Sequence, residues 1–205
     1  MNHRLKLPLE FYQSEDVVGF ARQLLGCVLY TQIDGIVCGG LICETEAYAG
    51  ITDKASHAYG GRKTPRTGVM YESGGLAYVY LCYGMHYLFN VVTGPQDVPH
   101  AVLVRGVVPV AGKDEMSRRL GKPLTALRTD GPARLTKVLG IDLAMNRQSL
   151  LGNRVWIAGD GLTLSQHEIE TTSRIGVEYA GEDANLPYRF LINAESKARL
   201  RAYYQ

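Results

Sequence analysis

The feature that most limits the fold is the stretch 27-CVLYTQIDGIVCGGLICETEAY-48, where Asp34-Gly35 separates two apolar, β-rich runs. Asp-Gly between such runs is a strong hairpin signal, because the tight hairpin turn needs left-handed backbone that Asp tolerates and Gly adopts freely. A second hairpin is expected in 76-LAYVYLCYGMHYLFNVV-92, interrupted at Tyr83-Gly84. AVLVRGVVPV (101–110) reads as a further strand, and its continuous apolar character marks it as buried. VWIAG (155–159), LTLSQ (162–166) and YRFLI (188–192) read as short strands.

Helical spacing appears outside these runs. Residues 14–26, SEDVVGFARQLLG, open with Ser and two acids, repeat apolar residues at Val17, Phe20, Ala21, Leu24 and Leu25, and close with Gly26. AGKDEMSRRL (111–120) ends at Gly121, and Gly131-Pro132 opens a helix that stops at Gly140. AESKARLRAYY (194–204) predicts a terminal helix, and residues 49–75 form a long, glycine-rich, basic loop. The expected architecture is α+β: a single domain over residues 1–205, with a curved, mostly antiparallel β-sheet flanked by helices and a protruding β-hairpin. The 23 glycines in 205 residues fit many turns and bulges.

Charge alone decides little, since the net value is only +2. Its distribution is more informative. Residues 117–140 hold six bases and one acid, Asp130, and residues 57–66 hold Arg62, Lys63 and Arg66 with no acid. Either cluster suits a phosphate backbone or an ordinary solvated face. The four cysteines (Cys27, Cys38, Cys43, Cys82) lack CxxC spacing and read as reduced core residues. The histidines show no metal spacing with them, so no metal and no cofactor is expected. The N-terminal residues lack an apolar signal region and no run reaches transmembrane length. A cytoplasmic protein with no membrane association is the expectation.

Three stretches carry candidate chemistry. In 43-CETEAY-48, strand alternation puts Glu44, Glu46 and Tyr48 on one face and Cys43, Thr45 and Ala47 on the other. Glu46 is a candidate general base, although a solvated strand face would read the same way. In 57-HAYGGRKTPR-66, glycines let backbone amides approach a ligand, and Arg62, Lys63 and Arg66 suit phosphates. In the tyrosine hairpin, Tyr83 occupies a tip where a small polar residue is the local preference, which suggests a ring placed there to project. Aromatic packing across a sheet is the alternative for its neighbours. Arg105, inside an apolar strand, must find a carboxylate, phosphate or water.

Taken together in this order, CETEAY, the HxxGGRxTPR loop, YVYxxYGM…FN and AVLVRG resemble the alkyladenine (3-methyladenine) DNA glycosylase family, of the monofunctional type found in vertebrates and many bacteria. DGPARLTKVLGI (130–141) and SRIGVEYAGEDANLPYRFLI (173–192) resemble that family's later blocks, so the likeness spans nearly the whole chain. It implies base-excision repair. Damaged purines would be flipped out of duplex DNA, and a water activated by Glu46 would attack the sugar C1′. Tyr48 would stack on one face of the flipped base, with His57 and Tyr80 on the other. Asn90 would clash with a guanine amino group, Tyr83 would wedge into the minor groove, and Arg105 would sit near the water and the target phosphate. His86 stands where the vertebrate pattern has a tyrosine. The implied partner is double-stranded DNA containing damaged purines, with a monomeric protein, no obligate protein partner and no lyase step. A non-catalytic nucleic-acid-binding module with stacking tyrosines is the alternative of a different class.

Overall fold

The computed structural model describes residues 5–123, 128–159 and 164–204. Its spine is a sheet in the order β1 (Leu5–Lys6), β7 (Val155–Gly159), β2 (Val28–Ile33), β3 (Ile36–Tyr48), β6 (His100–Ala111), β5 (His86–Thr93), β4 (Ala77–Cys82). β9 (Arg189–Ile192) joins the far half of β3, and β8 (Ile169–Thr172) joins β9. These pairings are all antiparallel. The mixed α+β class and the mainly antiparallel sheet expected from the sequence are both present.

The first hairpin turns as its sequence dictates, with Asp34 at φ 51° and Gly35 at φ 79°, and Ile33 pairs with Ile36. β3 is the organising strand. Its first half pairs with β2; from Glu44 to Glu46 the same edge passes to β9, while β6 stays on the other edge. Register shifts beside Gly40 and on both sides of Glu44 mark bulges, which bend a strand and increase its twist. The bend lies where the two acidic side chains leave the strand.

One face of this stretch belongs to the core. Cys43, Thr45 and Ala47 are buried, and the Thr45 hydroxyl donates to the Ala21 carbonyl of α1 (Val17–Gln23) at 2.8 Å. Phe20, Ala21 and Leu24 pack there. Asp16, not Ser14, caps α1, accepting from the Gly19 amide at 2.8 Å, so the helix is shorter than the periodic stretch. α3 (Pro132–Leu139) covers the sheet further along, with Leu135, Val138 and Leu139 buried and the Thr136 hydroxyl donating to the Tyr87 carbonyl. α2 (Lys113–Leu120) and α3 both end at glycines in left-handed conformation, Gly121 and Gly140. α4 (Ala194–Tyr203) closes the described chain.

Loop 49–75 is held by a core of its own, in which Val69, Met70 and Tyr71 pack with Ala58, Tyr78, Val92 and Ala101. Two expectations need correction. LTLSQ is not a strand where it can be seen: residues 162–163 lie outside the described residues, and Ser165 caps a turn at Gln166–Glu168 through a reciprocal box with Glu168. Residue 111 belongs to β6, and α2 starts only after Gly112, whose left-handed backbone breaks the strand. β1 and β8 are too short to show a period and were not expected.

Gly40 measures how tightly β3 and β6 meet, since a Cβ there would lie 2.7 Å from the Val107 side chain. Gly40→Ala is expected to cost about 1–3 kcal/mol through overpacking. A lower urea midpoint at unchanged slope would register it.

Candidate active site

On the face opposite α1, β3 delivers Glu44, Glu46 and Tyr48 toward a cavity of about 500 Å³. Its lining includes Tyr48, His57, Tyr80, Asn90 and Arg105, with Tyr83 and Tyr179 at exposed positions. Six elements therefore converge: β3, the 49–75 loop, the β4–β5 hairpin, β6, the start of α3 and the segment after β8.

Glu46 is fully buried and lies behind the lining residues. Its Oε1 accepts from the Ile175 amide at 2.8 Å and faces Arg105 Nη1 at 3.3 Å. Its Oε2 accepts from the Tyr48 hydroxyl at 2.8 Å. Burial pushes its pKa up, while Arg105, the Ile175 amide and the Tyr48 hydroxyl pull it back. The outcome is a carboxyl raised above its ordinary range but surrounded by groups that favour the anion.

Arg105 resolves its sequence anomaly by pairing twice. Its Nε donates to Glu44 Oε1 at 2.9 Å while Nη1 faces Glu46. Glu44 is shared with Arg189 of β9, whose Nε lies 2.8 Å from the same oxygen. Arg105 thus lines the cavity and holds both acids of the strand.

The aromatic wall is built from the hairpin and the loop. His57 meets Tyr80 edge to face at 4.8 Å between centroids, and its Nδ1 shares a 2.8 Å hydrogen bond with the Tyr78 hydroxyl. Burial, assisted by Arg66 and Arg62, lowers the His57 pKa to about 4, so the ring is neutral near pH 7. Asn90 is buried and donates to the Tyr78 carbonyl at 3.1 Å. Tyr78 is itself buried, as its structural reading requires, and it positions both His57 and Asn90.

Tyr83 is 88% exposed at the hairpin tip. The Met85 amide donates to the Cys82 carbonyl, closing a turn whose central residues Tyr83 (φ 51°) and Gly84 (φ 69°) are both left-handed. His86 opens β5 just after this turn and also lines the cavity.

The loop cations are not brought together. Arg66 turns inward over the Tyr80 ring at 5.2 Å. Lys63 pairs with Asp97 at 3.3 Å, and Arg62 borders an adjoining cavity of about 420 Å³ shared with Lys54 and Tyr179. In the second basic stretch, Arg118 and Arg119 both pair with Glu115, an acid just before residue 117.

No local pattern in the chain marks Asp53, Arg174 or Ile175. Arg174 bonds Asp53 with both terminal nitrogens, at 2.5 and 2.9 Å, and both side chains are buried. The only available signal was the place of Arg174 and Ile175 in the 173–192 block that carries the family likeness; Asp53 lies between two such blocks. Among the described residues no group of three or more acidic, histidine or cysteine side chains could hold a metal, and no helix is long and apolar enough to cross a membrane.

Comparison with known proteins bears on this site. The family model described as Methylpurine-DNA glycosylase matches residues 10–196. A Chlamydia pneumoniae protein named "Putative 3-methyladenine DNA glycosylase" is 46% identical over 193 residues, covering 93% of this chain and 96% of the relative. Proteins of the same name from Desulfitobacterium hafniense and Clostridium perfringens are 40% and 39% identical, covering 91% and 92% of this chain and 95% and 96% of their own lengths.

Arg105 is the cation that most favours the Glu46 anion. Arg105→Gln is expected to move the Glu46 titration further upward, measurable by carboxyl ¹³C NMR. A raised folded-state pKa means that this group's contribution to stability is full below the unfolded value and is lost as pH rises through the folded one.

Proposed function

The chain belongs to the methylpurine-DNA glycosylase family, and on that premise we propose that it excises alkylated or deaminated purines, 3-methyladenine and hypoxanthine among them, from duplex DNA. The supporting observation is a buried carboxylate, Glu46, held by two hydrogen bonds and an ion pair at the back of an open aromatic cavity with an exposed tyrosine at its mouth. A base inside a duplex is out of reach of such a cavity and must be extruded, with its gap filled. Tyr83 is the side chain we assign to that gap.

Tyr48, His57 and Tyr80 would stack against the flipped base. Electron-rich rings attract the positive charge of a purine alkylated on nitrogen, and a neutral His57 adds no opposing charge. Asn90, fixed by the Tyr78 carbonyl, would exclude the guanine amino group.

In the hydrolysis, the bond between C1′ and the purine nitrogen breaks and its electron pair leaves with the base. Water oxygen bonds to C1′, and its proton passes to Glu46. A carboxylate accepts about four hydrogen bonds. Protein hydrogen bonds use two at Glu46, with Arg105 paired to it at 3.3 Å, and a remaining acceptor position would orient the water. The same negative charge faces the oxocarbenium-like sugar, which is where positive charge develops. The cavity lining includes no lysine, so the reading has hydrolysis without a Schiff-base lyase step. Arg62, Lys63 and Arg66 would meet phosphates, giving salt-sensitive affinity.

Glu46→Gln is expected to retain binding to duplex containing an abasic analogue while single-turnover release of hypoxanthine or 3-methyladenine falls at least about 100-fold. Release at the wild-type rate would remove Glu46 from the role. Tyr83→Ala is expected to lose activity on duplex and keep it on single strands. Unchanged duplex activity would count against the wedge.

A further inference from the structure

The proposed reaction explains Glu46, Arg105 and the aromatic wall, but not the buried ion pair beside them. The Arg174 and Asp53 side chains are 0% and 1% exposed. Placing such a pair out of water is costly unless its hydrogen bonds are met. Arg174 meets nearly all of its own: Nη1 also donates to the Ala47 carbonyl at 3.0 Å, and Nη2 to the Asp183 carbonyl at 3.1 Å. Asp53 in turn accepts from the amides of Ala49 and Ala55, at 3.0 and 2.9 Å. Four separate backbone positions are therefore tied to one guanidinium and its acid.

Those positions surround the catalytic strand end. Ala47 stands between Glu46 and Tyr48, and Ile175, whose amide donates to Glu46, is the residue after Arg174. The guanidinium also lies over the Tyr48 ring at 4.9 Å and the Tyr188 ring at 5.2 Å. Two of the three groups that hold Glu46, the Ile175 amide and the Tyr48 hydroxyl, are thus fixed by Arg174.

We propose that Arg174, clamped by Asp53, is a positioning residue of this site: it seats the Tyr48 ring and aims the Ile175 amide at Glu46. This rests on the glycosylase reading for its meaning in catalysis, but not for its effect on Glu46. The charged and titratable groups around Glu46 are Arg105 from β6, Glu44 and Tyr48 from β3, and Arg174, Asp53 and Tyr179 from the surrounding loops. Loosening Arg174 withdraws two donors from the anion and leaves Arg105 and Glu44 in place.

The test uses Arg174→Lys, which keeps the charge but loses the planar fork, and the double variant Asp53→Asn/Arg174→Met, which removes both buried charges at similar volume. Two quantities are read: the Glu46 titration by carboxyl ¹³C NMR, and the acidic limb of single-turnover base release. Both are expected to move upward by about one unit in either variant, with the rate on the plateau reduced because Tyr48 is no longer seated. A folded double variant with wild-type titration and wild-type limb would overturn the proposal. So would failure of both variants to fold, which would make the pair purely structural. If wild-type protein releases no purine while the titration still moves, the positioning role stands and the glycosylase reading fails.

Discussion

A carboxylate shut off from bulk solvent governs the rest of this structure. Charge taken out of water costs several kcal/mol unless partners replace the solvent, and Glu46 has its partners supplied from three places: Arg105 on β6, Tyr48 two residues along its own strand, and the Ile175 amide from the segment after β8. The branch in the sheet has a role here. Because β9 takes over the edge of β3 at Glu44, Arg189 and the residues before it are brought to the place where the charge lies.

The compensation is local. Glu44, Glu46 and Asp53 are matched by Arg105, Arg174 and Arg189, so three buried or half-buried acids meet three cations. The interior of the site is close to neutral, which leaves attraction of a phosphate backbone to more exposed cations such as Arg62 and Lys54. On the proposed reading, recognition inside the cavity falls to ring faces and to single oriented polar groups, Asn90 among them. A small net charge on the whole chain is compatible with a nucleic-acid substrate on these terms.

Local signals in the sequence were read well where local chemistry decides the outcome. Asp34-Gly35, Gly121 and Gly140 mark a turn and two helix ends because left-handed backbone is required there. Alternation placed Glu46 and Tyr48 together, and their hydrogen bond follows from that. What was not legible depends on distance along the chain. Asp53 and Arg174 lie 121 positions apart, and neither sits in a periodic pattern that would announce burial. Glu115 neutralises Arg118 and Arg119 from just beyond the stretch that looked basic. β8 was missed because four residues cannot establish a period, and its pairing comes wholly from β9. The divergence of Arg62, Lys63 and Arg66 was equally hidden, since side-chain direction in an irregular loop is set by the packing of Val69, Met70 and Tyr71 beneath it.

The tip of the β4–β5 hairpin carries a last consequence. Left-handed backbone at a bulky residue costs about 1–2 kcal/mol, and Tyr83 adopts it while 88% exposed. An asparagine would make the better turn. If the ring fills the gap of a flipped base as proposed, the tip is a site where thermal robustness and performance on duplex DNA pull in opposite directions, and consensus-style stabilisation applied there would select against the ring.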